Sequence, residues 1–374
     1  MADRSQPFGH PIPAGSIAAQ LVESGRLPAA VLRPLTFGLP PGSSTDGLRD
    51  RFQGCLLGVA IGDALGRAGE GYSPEATVRH YGGPLRSYQP WSGWTSGPIG
   101  TITDDTQMTL CIAESIIATG GLEPADIGRR FVKWLDYGRG KGRTCVEACL
   151  RLQAGISWHE SGVDSAGNGA AMRTAPIGLL RAHDLPRLRF DAGLTCLITH
   201  AHPTAIASAI AQSAGIAYCL TQEAAGFDPA RFIEFIVACI ENIEEIDIPE
   251  RGPGGTRTTL AKRLAELPGL RRGHDTRAVY DYLRNGAFVL ESLPTAMYAF
   301  LRNYGDFGAT LFAAVDAGYD CDTSGSMACA LAGALLGRTQ IPDRWLEELE
   351  FRDELIRLAD GLQTLSRSSR DVAP

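Results

Sequence analysis

Apolar residues recur at helical spacing along most of the chain from residue 52 onward. Between residues 105 and 119, for example, Met108, Ile112 and Ile116 fall on one helical face. Few stretches show the period of two that indicates strands. The pattern therefore predicts an all-α protein, a compact orthogonal helical bundle with long functional loops. The predicted helices are 52–65, 105–119, 124–135, 144–154, 204–221, 229–243, 278–290, 307–315, 323–336 and 344–362.

Two segments depart from the helical pattern. Residues 72–94 are aromatic and glycine-rich without a period, which predicts a long functional loop. Residues 1–50 are proline-rich, and prolines interrupt helices, although residues 16–24 are predicted to form one short amphipathic helix. We therefore divide the chain into a proline-rich extension, 1–50, and a helical domain, 51–374, joined by a flexible linker. The apolar face of the short helix consists of Ile17, Leu21 and Val22.

Charge, apolar runs and cysteine spacing indicate where the protein is located and which classes of partner it does not bind. The net charge of −7 argues against a nucleic-acid-binding surface, which needs clustered basic residues. No uncharged apolar run reaches the roughly 20 residues that span a bilayer, and the first thirty residues do not resemble a signal peptide. The nine cysteines are scattered without paired spacing, which favours free thiols in a reducing compartment. We expect a cytoplasmic protein without membrane or nucleic-acid partners.

Two short acidic motifs each precede a predicted helix. The first, 103–106, reads Thr-Asp-Asp-Thr, and the second, 320–323, reads Asp-Cys-Asp-Thr. Helix capping alone explains either motif, because Asp and Thr are favoured N-caps. Each motif offers two carboxylates, however, and four carboxylates brought together repel unless a cation lies among them. Oxygen ligands without His or Cys suit magnesium, manganese or calcium, so the pair predicts a centre of two such ions.

Two further acidic residues are candidates for the same site. Asp63 ends an apolar, small-residue helix, where a buried carboxylate needs a partner. Bonding to the backbone of a nearby turn is the alternative role for Asp63. Glu70 lies in a loop between Gly69 and Gly71, where an ordinary solvated side chain is the alternative.

Five blocks in order resemble the ADP-ribosylglycohydrolase family, typified by dinitrogenase reductase-activating glycohydrolase and the ADP-ribosylarginine hydrolases. The resemblance runs from about residue 52 to residue 337. It implies an all-helical fold with a binuclear magnesium centre, two Mg²⁺ ions or Mn²⁺ in their place. It also implies hydrolysis of the bond between ADP-ribose and a modified protein side chain, with arginine as the expected acceptor. The blocks are 54–66, 103–108, 167–178, 199–203 and 318–323 continuing into 328–337.

The resemblance also implies roles for individual residues. The implied metal ligands are Thr103, Asp104 and Asp105 from one side, and Asp320, Asp322 and Thr323 from the other. The catalytic candidates are Glu70, Asp105 and Asp322. The implied substrate-binding residues are Asp63, Gly167, Asn168, Gly169, Met172, Arg173 and His200.

The glycine-rich block 167–178 is the predicted phosphate site. Its glycines would let backbone N–H groups approach a pyrophosphate, and Arg173 would add positive charge. A tight turn between helices is the alternative explanation. Many bacterial members carry an Asp-Ile-Gly triplet where this chain reads Gly140-Lys141-Gly142, so the substrate contact of that aspartate does not carry over.

Two other functions remain open from the sequence. A binuclear metal site with a phosphate loop would also suit a phosphoesterase, which would release AMP instead of ADP-ribose. Alternatively, the extension 1–50 would dock on a partner such as an ADP-ribosylating toxin, and the chain would serve as an immunity or binding protein.

Overall fold

The structure is a computed structural model that describes residues 16–39, 47–90, 98–245, 247–249 and 257–371. The structure is 67% helical with almost no strand among these residues, which confirms the all-α prediction. The two short strands pair antiparallel, with Ile248 opposite Thr258. The described elements are α1 (Ile17–Glu23), α2 (Leu48–Gly66), α3 (Pro74–Tyr81), α4 (Asp104–Thr119), α5 (Pro124–Trp134), α6 (Arg143–Gln153), α7 (Ala175–Leu180), α8 (Leu185–Leu197), α9 (Pro203–Thr221), α10 (Pro229–Ile240), β1 (Ile248–Pro249), β2 (Arg257–Thr258), α11 (Leu260–Ala265), α12 (Leu267–Gly273), α13 (Thr276–Leu283), α14 (Val289–Asn303), α15 (Phe307–Val315), α16 (Cys321–Leu336) and α17 (Arg352–Asp371).

Helices α2 and α16 lie at the centre of the bundle in direct backbone contact. A Cβ atom on Gly58 would lie 2.1 Å from the carbonyl oxygen of Cys329, so no larger residue fits there. The contacts run in opposite directions along the two helices, which are therefore antiparallel. The C-terminal end of α2 consequently meets the acidic start of α16. The α2 glycines that face α16 are Gly54, Gly58, Gly62 and Gly66.

Helix α9 is a core helix. Among the described residues it is the one helix long and apolar enough to cross a membrane, but 94% of its apolar window is buried inside the bundle. A helix that is apolar on all sides is expected in the core of a protein, where other helices surround it. Helices α8, α10 and α16 pack against it.

Several predicted boundaries were wrong, each for a local reason. Within the segment 72–94, Ser73 caps a helix, α3, that the absence of a period had concealed. The single helix predicted over 278–290 is broken at Arg284, whose φ of 64° ends α13 before α14 begins. The last helix begins at Arg352, eight residues after its predicted start. Helices α7, α8, α11 and α12 and all but the first two residues of α14 were not predicted, and α8 is buried along most of its length, which removes the amphipathic signal.

The described part of the extension packs on the bundle, which corrects its interpretation as a separate arm. Leu21, Leu27 and Val31 are buried, and the Arg189 guanidinium of α8 donates to the carbonyl oxygens of Ala30 at 2.7 Å and Arg33 at 2.8 Å. Of the predicted apolar face, Leu21 is buried and Val22 half-buried, whereas Ile17 is 40% exposed. The predicted linker lies outside the described residues.

We expect Leu27→Ala to lower the free energy of unfolding by about 2–4 kcal/mol, because it opens a cavity against α8. Ile17→Ala is the matched control on the same segment, and its effect should stay below about 0.5 kcal/mol, because the side chain is exposed. Urea denaturation of both variants measures the difference. Equal stabilities for Leu27→Ala and the unmodified chain would contradict the packing of the extension.

Candidate active site

The carboxylate of Asp63, near the end of α2, fixes the start of α4. It is fully buried and accepts four hydrogen bonds, from the backbone N–H and the hydroxyl of both Thr103 and Thr106. All its acceptor capacity is therefore directed into the protein. This geometry corrects the predicted substrate-binding role of Asp63, which instead holds the first acidic motif in place.

The first acidic motif occupies the N-terminal turn of α4. Thr103 is the N-cap residue, and Asp104 and Asp105 are buried in the first turn. Asp104 Oδ2 accepts a hydrogen bond from the Gly142 N–H at 3.3 Å. Asp105 Oδ1 is buried and has no hydrogen-bond partner among the described residues. The Asp104 and Asp105 side chains therefore lie at the start of α4, and Asp105 Oδ1 is the carboxylate oxygen left for a ligand.

An ion pair that the sequence did not reveal supports this motif. Arg139 and Glu350 form two parallel hydrogen bonds of 2.8 Å. Arg139 also donates to the carbonyl oxygen of Ile102, while Glu350 accepts from the Ile102 N–H. The residue directly before Thr103 is thus held at both backbone groups. Arg139 and Glu350 are 211 positions apart, so no local pattern could have indicated the pair.

The second acidic motif begins α16. Asp320 is the N-cap residue, Asp322 lies in the first turn, and Asp322 Oδ1 accepts a hydrogen bond from the Thr323 N–H at 2.9 Å. Asn285 was missed as a supporting residue. Its carbonyl oxygen accepts from the Asp320 N–H, and its side chain donates to the Gly318 carbonyl oxygen at 2.6 Å. The Asn-Gly pair at 285–286 is a turn signal that could have located this break between α13 and α14.

The two motifs meet in space. The Thr323 hydroxyl donates to Asp105 Oδ2 at 3.4 Å, although the residues are 218 positions apart. The Asn168 side chain donates to Asp320 Oδ2 at 2.6 Å, which brings the glycine-rich block to the same place. Asp322 lies near Glu70, and burial together with the Glu70 charge raises the pKa of Asp322. The metal and catalytic candidates and Asn168 therefore form one cluster.

Burial and mutual repulsion dominate the electrostatics of this cluster. Burial first, and then the neighbouring carboxylates, raise the pKa values of Asp104, Asp105 and Asp322 well above the ordinary range. Burial also raises the pKa of Asp320. Among the described residues, no three His, Cys, Asp or Glu side chains are grouped closely enough to hold a metal ion as they stand. The binuclear centre therefore stays a prediction.

Glu70 differs from these aspartates because its side chain reaches solvent. It follows the short 3-10 turn after α2, at the edge of the cluster. Partial desolvation and the charges of Asp320 and Asp63 raise its pKa to about 7. A carboxyl group with that pKa exists in both protonation states near neutral pH, which suits a group that both gives and accepts a proton.

The glycine-rich block provides fewer phosphate-binding groups than predicted. The N–H groups of Gly167 and Asn168 already donate to Ser165 Oγ and to the carbonyl oxygen of Ala287. Arg173 is fully buried and donates to Thr199 Oγ1 at 2.6 Å, so its predicted contact with a pyrophosphate is wrong. The interior of the bundle needs this guanidinium for packing, because it also stacks on the Phe131 ring.

His200 lies beneath the glycine-rich block and is almost completely buried. Burial and the nearby Arg173 lower its pKa to about 3, so the imidazole is neutral. Thr199 Oγ1 accepts from Arg173 and lies 2.7 Å from Nδ1 of His200, so the hydroxyl links the two side chains. A Cβ atom on Gly169 would lie 3.0 Å from this ring, so His200 supports the turn. Met172 lies in the hydrophobic core, and its substrate contact stays a prediction.

Comparisons with known proteins agree with this arrangement. The family model described as ADP-ribosylglycohydrolase matches residues 44–371. Human ADP-ribosylhydrolase ARH3 is 30% identical, over 85% of this chain and 94% of its own length. ADP-ribosylarginine hydrolase Tri1 from Serratia proteamaculans is 28% identical, over 84% of this chain and 79% of its own.

A solved structure described as an ADP-ribosylglycohydrolase-related protein complex superposes with a TM-score of 0.61 at 28% identity. The match covers 85% of this chain and 98% of the solved one. The family match spans both acidic motifs, Glu70 and the glycine-rich block, which the structure brings together. The chain therefore belongs to the ADP-ribosylglycohydrolase family.

Proposed function

We propose that this enzyme uses two magnesium ions to hydrolyse the glycosidic bond between ADP-ribose and an arginine side chain of a modified protein. The observation that carries the proposal is the meeting of Asp105 and Thr323 beside Glu70. The family and the names of its relatives support hydrolysis of ADP-ribose linkages. The name of the Tri1 relative supports arginine as the acceptor.

The residues present fit divalent cations. The cluster consists of carboxylate and hydroxyl oxygens, the donors that magnesium and manganese prefer. Asp105 Oδ1 is buried without a partner among the described residues, and burial together with the neighbouring carboxylates raises the pKa values of Asp105 and Asp322, a repulsion that a bound cation would relieve. When bound, the ions would supply charge that holds the hydroxyls of the distal ribose. The residues that would hold them are Thr103, Asp104, Asp105, Asp320, Asp322 and Thr323.

Glu70 is the group that moves a proton in this proposal. Cleavage at C1 of the ribose develops oxocarbenium character, and the departing nitrogen needs a proton. The Glu70 carboxyl group donates that proton and then accepts one from the attacking water. Asp320 and Asn168 hold each other by a hydrogen bond and orient the ribose side of the cluster.

The phosphoesterase alternative has less support from the described contacts. Two N–H groups of the glycine-rich block are already used within the protein, and the Arg173 charge is buried away from any ligand. Hydrolysis of a pyrophosphate needs charge stabilisation at phosphorus, which these groups were expected to provide. The reaction product therefore distinguishes the two functions.

We expect incubation with a peptide that carries ADP-ribose on arginine to release free ADP-ribose in the presence of magnesium and not in EDTA. Liquid chromatography separates ADP-ribose from AMP. A peptide with ADP-ribose on serine tests the acceptor in parallel. Release of AMP, or equal rates with and without magnesium, would contradict the proposal.

We expect Glu70→Gln to lower kcat by about 10²–10⁴-fold with a small change in KM, because the amide binds similarly but cannot transfer a proton. The neighbouring exposed Glu75, on α3, supplies the control variant Glu75→Gln, which should keep full activity. Steady-state kinetics at neutral pH compare the two. A Glu70→Gln enzyme with ordinary kcat would remove Glu70 from the mechanism.

The cluster should destabilise the metal-free protein as pH rises. A carboxyl group whose folded pKa is raised binds more protons in the folded state, so stability falls from about pH 4 toward that pKa. Asp105→Asn should therefore be more stable than the unmodified chain in EDTA at about pH 8, with a smaller gain at about pH 5. Asp63→Asn is the contrasting variant and should lose about 3 kcal/mol, because buried donors lose their acceptor. Thermal melts that rank the two variants in the opposite order would contradict these assignments.

A further inference from the structure

Tyr319 has a backbone conformation that bulky residues rarely adopt. Its φ is 57°, in the left-handed region, and it directly precedes Asp320. Gly318 before it also has a positive φ, and a Cβ atom there would lie 2.6 Å from Pro74, so glycine is needed at that position. A tyrosine in this conformation is strained. Such strain is concentrated at functional sites, where the surrounding structure enforces it.

Two backbone hydrogen bonds enforce the conformation of Tyr319. Its N–H donates to the carbonyl oxygen of Tyr72, and its carbonyl oxygen accepts from the N–H of Gly71, both at 2.7 Å. The bonds join the turn that follows Glu70 to the residue that precedes Asp320. Glycine would make both bonds without strain, because neither involves the side chain. The backbone contact therefore does not account for the tyrosine ring.

The ring of Tyr319 is available to a ligand. It is 46% exposed, whereas Asp322 and Thr323 of the same motif are buried. Among the described residues, no aromatic ring or guanidinium stacks on it and its hydroxyl has no hydrogen-bond partner. Tyr72 is also exposed, at 39%, and its ring stacks on His80. The exposed side chains of Tyr72 and Tyr319 therefore lie on the two backbone segments that these hydrogen bonds join, next to Glu70.

We propose that Tyr319, with Tyr72 beside it, contacts the acceptor side of the substrate and favours a planar cation, the guanidinium of arginine, over a small neutral acceptor. The inference rests on the proposed function, in which Glu70 protonates the leaving group. The leaving group departs on the Glu70 side, where the bridge holds both tyrosines. Aromatic faces attract guanidinium groups, and the neighbouring carboxylates Glu70 and Asp320 add to this attraction.

The test removes the ring without disturbing the backbone. Tyr319→Asn suits this purpose, because asparagine tolerates the left-handed conformation better than other non-glycine residues. The specificity ratio is kcat/KM for an ADP-ribosyl-arginine peptide divided by kcat/KM for an O-acetyl ester of ADP-ribose. In Tyr319→Asn we expect this ratio to fall by about 3- to 10-fold. Tyr319→Phe keeps the ring and should keep the ratio within about twofold. Val78→Ala on α3, 45% exposed and not part of the proposed contact, is the control for both rates.

Each outcome decides the proposal. An unchanged ratio in Tyr319→Asn, or an equal loss in Tyr319→Phe, would overturn the contact. Thermal melts should show Tyr319→Asn at least as stable as the unmodified chain, since strain is relieved, so unfolding would not explain a lower ratio. If the unmodified chain hydrolyses neither substrate, the proposed function fails instead. Calorimetry of the arginine peptide and of free ADP-ribose then tests the contact. Weaker binding of the peptide alone to Tyr319→Asn would support the proposal. Unchanged affinities for both ligands would overturn it.

Discussion

The backbone contact between α2 and α16 determines where the site forms. Glycines at every fourth position of α2 let the two helices approach so closely that a Cβ atom on Gly66 would lie 2.3 Å from the carbonyl oxygen of Cys321. The Cys321 thiol donates to the Gly66 carbonyl oxygen at 3.1 Å and holds the ends together. Since Asp63 and Glu70 lie at the end of α2 and Asp320 at the start of α16, this packing alone brings three acidic positions together. A larger residue in the glycine row would separate them.

The site concentrates negative charge that the fold only partly compensates. Both acidic motifs lie at helix N-termini, where the helix dipole favours carboxylates by roughly 0.3–1 kcal/mol. That contribution is small beside the repulsion and desolvation that raise the pKa values of Asp105 and Asp322. Arg139, paired with Glu350, and the Asn285 side chain hold the backbone around the two motifs. They do not neutralise the charge of the carboxylates. The uncompensated charge of the cluster therefore lowers the stability of the folded protein as the carboxylates ionise.

Local chemistry could be predicted from the sequence, whereas long-range partners could not. The acidic motifs and the small-residue helices are visible because capping residues and glycine spacing are local patterns. The roles of Asp63 and Arg173 were misjudged because their partners, Thr106 and Thr199, are determined only by tertiary packing. Both are polar residues beside functional motifs that turned out to face the interior. Asn285 was missed because the apolar pattern over 278–290 continued through the turn that it occupies.

The extension shows how a segment outside the family match can still be required by the fold. The family model begins at residue 44, yet Leu27 and Val31 before it are buried on α8. Arg189 of α8 is also buried, which lowers the pKa of its guanidinium, and it donates to two carbonyl oxygens of the extension. Without the extension this guanidinium would lose both acceptors, and Leu27 and Val31 would no longer cover α8. The buried residues of the extension therefore belong to the same hydrophobic core as the helical domain.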